Sequence, residues 1–60
     1  PLTPEIGDLV TSVSERFSKI EKKTGVLVEI IDSPGRIMMA TILLGEKKEI
    51  VSYDSLIVLE

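Results

Sequence analysis

Val26-Leu27-Val28-Glu29-Ile30-Ile31, then Asp32-Ser33-Pro34-Gly35-Arg36, then Ile37-Met38-Met39-Ala40-Thr41-Ile42-Leu43-Leu44 reads as strand, turn, strand. The first run is rich in β-branched residues, and Val26, Val28 and Ile30 alternate with Leu27, Glu29 and Ile31. Pro34 then Gly35 at the two central turn positions suits a type II turn, because Gly accepts the positive φ required there. In the second run Met38, Ala40, Ile42 and Leu44 share one face, and Ile37, Met39, Thr41 and Leu43 the other. Working outward, Gly45-Glu46-Lys47-Lys48 reads as a polar turn and Glu49 to Ser52 as a short strand. Tyr53-Asp54-Ser55 is a tight turn, and Leu56 to Leu59 is a last strand. Short strands joined by tight turns predict an antiparallel meander.

The first half admits two readings. In one, Ile6-Gly7-Asp8-Leu9-Val10 turns into a strand, and a long polar loop follows from about Ser14 to Thr24. In the other, Ile6, Leu9, Val13, Phe17 and Ile20 recur at helical spacing. Thr3 then caps the helix, Pro4 opens it, Lys19, Lys22 and Lys23 favour its C-terminal end, and Gly25 stops it. A shorter helix from Val13 to Lys23, capped by Ser12 with Glu15 three residues on, is a compromise. Gly7 and the Ser and Thr residues between Thr11 and Thr24 count against a helix.

Gly7-Asp8-Leu9-Val10 resembles the opening strand of SH3-like barrels, and Gly25-Val26-Leu27-Val28-Glu29-Ile30 the glycine-led strand of KOW-type barrels. Pro34-Gly35-Arg36, Ala40 to Leu44 and Ser55 to Leu59 resemble the remaining strands, with Tyr53-Asp54-Ser55 where such barrels place a 3₁₀ turn. The whole is similar to the small SH3-like (KOW-like) barrel proteins of tailed bacteriophages. The resemblance implies a mainly β fold: a small SH3-like antiparallel barrel of about five short strands with a long first loop. Residues 1–60 would form one domain, with 1–5 as an N-terminal arm. The alternative is α+β, an N-terminal helix packed on a three- to four-stranded antiparallel meander.

Composition narrows the function. The 60 residues contain no Cys and no His, so the common nucleophile–base pairs, disulfides and thiolate or imidazole metal sites are absent. Asp8, Glu29, Asp32 and Asp54 are scattered over strand ends and turns, so no carboxylate pair suggests acid–base work. No enzyme, cofactor, metal or small-molecule substrate is expected. The N-terminal Pro1-Leu2-Thr3-Pro4 lacks the pattern of a signal peptide, and no apolar run approaches the ~20 residues of a membrane-spanning helix.

The chain is nonetheless apolar: 43% of residues are hydrophobic, almost all aliphatic, and the mean hydropathy is +0.29. A domain of this size buries only about 60% of the surface of its unfolded chain. Part of its apolar surface is therefore expected to be covered by other protein subunits or by a second copy. If Val26, Val28, Ile30, Ala40, Ile42 and Leu44 face inward, then Leu27, Ile31, Ile37, Met39 and Leu43 point outward and form the protein interface. Pro1 to Glu5 and Leu56 to Glu60 are candidate arms lying on neighbours.

The resemblance implies a structural protein of a phage virion, such as a capsid decoration or cement protein or a head–tail accessory subunit, found in the virion or the host cytoplasm. The alternative is a KOW-like module contacting RNA or the transcription machinery through a basic patch of Lys19, Lys22, Lys23, Lys47 and Lys48. The net charge of −3 and the lack of an aromatic stacking platform weigh against nucleic acid. Tyr53 is expected to be a half-buried edge residue.

Overall fold

The computed structural model describes residues 3–59. The chain is mainly β, with five antiparallel strands in one sheet: β1 (Leu9–Arg16), β2 (Lys19–Ile31), β3 (Met39–Leu44), β4 (Lys47–Ser52) and β5 (Leu56–Val58). The strand order is β4-β3-β2-β1-β5. A 3₁₀ turn, Tyr53–Ser55, precedes β5 at the expected place. The Pro34-Gly35 turn also forms as read: the Arg36 amide donates to the Ser33 carbonyl at 3.1 Å, and Gly35 has φ +76°.

Three expectations are corrected. The segment predicted as a long loop or a helix is a β ribbon, in which β1 and β2 pair from Leu9↔Val26 to Arg16↔Lys19 around a two-residue turn. The helical spacing of Val13, Phe17 and Ile20 is fortuitous: Val13 and Ile20 stand in the two paired strands, Phe17 sits in the turn between them, and Ser14 and Ser18 are weak helix formers. Lys47 and Lys48 belong to β4, so the β3–β4 turn is only Gly45-Glu46, with Gly45 at φ +65°. Ile37 and Met38 precede β3.

One sheet supplies the whole core. Val10 of β1, Leu27 of β2 and Ala40 and Ile42 of β3 are fully buried, and Leu56 of β5 nearly so. Ile30, Leu44, Val51, Tyr53 and Val58 pack around them. Among the described residues no second layer covers these side chains, so the sheet must coil strongly enough for its two halves to face each other. The near-isotropic extents of 30 × 27 × 27 Å agree, since a flat sheet is only about 10 Å thick. Among the described residues no ladder joins β4 to β5, so these strands form the two edges of the sheet.

Two features of β2 allow the coil. Gly25 lies where β2 passes tight against β3: a Cβ there would sit 2.2 Å from the Leu43 carbonyl oxygen. Such an approach is open only to glycine. Three residues on, the register shifts between Leu27 and Glu29. Val28 is the extra residue of a β-bulge, which bends the strand and resets its alternation.

The bulge corrects the predicted core. Gly25 and Leu27 face inward before it and Ile30 after it, so Val26 is turned outward and Leu27 is fully buried. Downstream, Ile30, Ala40, Ile42 and Leu44 keep the predicted inward face.

The N-terminal segment is tied to its own chain. The Gly7 amide donates to the Leu27 carbonyl at 2.8 Å, and the Leu27 amide to the Asp8 carbonyl at 2.9 Å. Half-buried Tyr53 donates its hydroxyl to the Pro4 carbonyl at 2.7 Å. The described part of the predicted arm, Thr3–Glu5, is thus held next to the 3₁₀ turn, while Pro1, Leu2 and Glu60 lie outside the described residues. Tyr53→Phe is expected to cost about 0.5–1.5 kcal/mol and to speed amide hydrogen exchange at Gly7 and Asp8. Unchanged exchange there would mean that the phenol does not hold the segment.

Candidate interaction surface

Strand pairing assigns each side chain to a face, because directly paired residues of antiparallel strands point the same way. On the outer face Leu9 pairs with Val26, Val26 with Leu43, and Leu43 with Lys48. The Leu59 amide donates to the Leu9 carbonyl at 2.8 Å, extending the row past β1. Leu59, Leu9, Val26 and Leu43 are therefore neighbours across the sheet, spanning about 14 Å at the usual interstrand spacing. Ile57, opposite Thr11, lies in the next row. Ile57 is 53% exposed and Leu9 46%, with Val26 and Leu59 also exposed.

The five predicted interface residues do not stay together. Leu43 lies in this row. Ile31 and Met39 pair with each other on the outer face, half-buried, two residues beyond the Glu29–Thr41 pair. Thr41 Oγ1 donates to Glu29 Oε1 at 3.3 Å, so a polar contact separates them from Leu43. Ile37 is 72% exposed in the segment before β3. Leu27 is in the core and no part of any surface. The reading missed Leu9, Val26, Ile57 and Leu59. Only pairing partners would have revealed them, since each comes from a different part of the chain or from the wrong side of the bulge.

The ribbon contributes a second feature. Ser12, Ser14, Arg16, Glu21 and Lys23 on its inner side line a crevice of about 240 Å³ whose far wall is Met39 of β3, Ile50, Val51 and Ser52 of β4 and Ser55 of the 3₁₀ turn, as apolar as it is polar. Ser12 Oγ lies 2.8 Å from Ser55 Oγ, which itself donates to the Ser52 carbonyl at 2.6 Å. Ser12 is therefore the donor to Ser55, and the buried hydroxyls are satisfied. Lys23 and Glu49 form an ion pair across the opening, half exposed and worth at most about 1 kcal/mol. The crevice is smaller than the roughly 300–1,000 Å³ of small-molecule sites. Among the described residues no three acidic side chains gather as metal ligands.

The predicted basic patch is divided. Lys22 pairs with Val13 on the outer face, whereas Lys23 pairs with Ser12 on the inner face and meets Glu49. Lys48 pairs with Leu43 on the outer face, and Lys47 pairs with Leu44 on the inner. Lys19 stands opposite Arg16 at the ribbon's end. The five lysines thus lie on both sides of the sheet.

No protein-family model matches the chain, and neither a curated protein nor a solved structure matches it.

Proposed function

We propose that this chain is a non-catalytic structural subunit that docks onto other protein subunits of a larger assembly through its outer sheet face. The observation that carries the reading is the cross-strand row of Leu59, Leu9, Val26 and Leu43, with Ile57 beside it. Thr or charged residues would serve as well at those positions in a protein that stayed alone, and solvated sheet faces normally carry them. A clustered aliphatic row on the surface of a small domain is the mark of an interaction site. The sequence holds no His and no Cys, so the common nucleophile–base pairs are not available to it. Weak apolar contacts of this size gain strength when many copies engage one particle. The assignment of that particle to a tailed phage rests on the sequence resemblance. A mainly β chain with a 3₁₀ turn before its last strand is in keeping with it.

Placing a photoreactive residue at position 57 in the native cell or particle is expected to give discrete protein adducts. The same residue at position 32, in the exposed β2–β3 turn region, is expected to give few. Equal adduct yields at the two positions, or adducts at 32 alone, would overturn the reading.

A further inference from the structure

We infer that the tip of the β1–β2 ribbon, Phe17 with Ile20 beside it, seats on the outer apolar row of a second copy of this chain, so that copies associate head to tail. The inference rests on the docking role proposed for that row and names its occupant.

The first observation is the tip itself. Phe17 and Ser18 both have positive φ, +54° and +62°, as a type I′ turn requires. Such turns favour Asn-Gly. A residue with a Cβ pays roughly 1–2 kcal/mol in the left-handed region, and Phe17 recovers none of it by packing, being 90% exposed. Ile20, opposite Glu15 one rung from the turn, is also exposed. Stability of the isolated domain gives no reason for a large aromatic here; contact with a partner does.

The second observation is the ribbon's length. β1 pairs with β5 only as far as Ser12, and β2 pairs with β3 only from Val26 onward. The four rungs from Val13↔Lys22 to Arg16↔Lys19 are held by each other alone, about 13 Å of two-stranded ribbon. A two-residue turn placed at Ser12 would have joined the strands equally well. The ribbon's inner side lines the crevice beside β4. Leu9 is eight residues from Phe17 along β1, so the tip does not reach its own chain's row.

The third observation is charge. Residues 13–24 hold Arg16, Lys19, Lys22 and Lys23 against Glu15 and Glu21, a net of +2, which leaves −5 for the rest of the chain. Ribbon against body is attractive, whereas tip against tip or body against body is repulsive. Charge complementarity of this kind selects partner orientation. At the receiving face Glu29 points outward with Thr41, while Lys48 stands beside Leu43, so the attraction comes from the net charge of the body as a whole. A contact between two different patches is heterologous, so it builds a ring or an open chain rather than a twofold dimer.

The test is the mass of the full chain by light scattering over a dilution series, with two variants. Phe17→Asn removes the aromatic and supplies a residue the turn prefers, so it should melt higher than the wild type yet associate at least tenfold more weakly. Leu9→Lys blocks the receiving row and should leave the tip intact; if circular dichroism shows it unfolded, Ile57→Lys takes its place. The wild type is expected to grow with concentration beyond its 6.6 kDa chain mass, and each variant alone to stay at one chain. An equimolar mixture has one good tip and one good row, and should form a 1:1 pair and stop there. A wild type that is monomeric throughout, a Phe17→Asn chain that assembles like the wild type, or a mixture that stays at one chain mass would each overturn the inference. Adducts at position 57 to a different protein would, in those cases, leave the docking reading standing.

Discussion

Gly25→Ala is expected to lower the melting temperature more than any other single-methyl change in this chain. The added Cβ would stand 2.2 Å from the Leu43 carbonyl oxygen and 2.9 Å from its carbon. Both are backbone atoms of the neighbouring strand, so no side-chain rotation relieves the clash. β2 and β3 must separate, at a point where Val26 pairs with Leu43 and Leu27 with Ile42. Overpacking of this kind costs roughly 1–3 kcal/mol or more. A chain of this length holds only about 3–9 kcal/mol in all, and each kcal/mol moves the melting point by about 4–8 °C in a small domain. Gly35→Ala is the comparison: open space surrounds that position, and only its φ of +76° resists the substitution, at about 1–2 kcal/mol. Thermal melts followed by circular dichroism should rank Gly25→Ala well below Gly35→Ala. A Gly25→Ala chain that melts like the wild type would mean that β2 and β3 do not approach so closely.

The second large effect separates two adjacent residues. Leu27→Ala is expected to cost about 2–5 kcal/mol, as for other fully buried leucines, and Leu27→Asp to prevent folding, because the core offers an unpaired carboxylate no partner. Val26→Thr should cost about 1 kcal/mol or less, since it keeps a β-branched side chain on an exposed outer face. Denaturant titrations of the three variants read the register directly. The opposite ranking, with Val26→Thr severe and Leu27→Ala mild, would mean that β2 runs without its bulge.

That pair of residues also shows how far the sequence can be read. The strands after Asp32 were legible because Pro34-Gly35 and Gly45 punctuate them with turn chemistry that needs no tertiary context. The inward face of β3 was legible for the same reason, since alternation runs unbroken from Ala40 to Leu44. Val26-Leu27-Val28 gave no phase: all three are apolar, and Glu29, the one polar marker, fixes the alternation only on its own side of the bulge. Carrying its phase backward put Leu27 outside and Val26 inside. The ribbon was hidden by another ambiguity. Its polar residues satisfy a loop, a helix face or a two-stranded pairing equally, and Phe17-Ser18 is not a turn pair that local rules recognise. The outer row was least accessible, because Leu9, Val26, Leu43 and Leu59 become neighbours only through three separate ladders.

The pairing of β1 with β5 bears on the order in which the chain folds. β1 with β2, β2 with β3 and β3 with β4 are each joined by short connections, so those hairpins close over small loops. Val10↔Val58 and Ser12↔Leu56 join opposite ends of the chain, and that closure carries the largest entropic cost, met before its contacts give anything back. Three residues of β5 thus act as a latch. Until they arrive, Val10 lacks one of its walls and β1 is an open edge, so a ribosome-bound chain still missing Leu56 is a meander without a finished core. Refolding should accordingly show one slow, concerted step in which burial of Leu56 and protection of the β1 amides appear together.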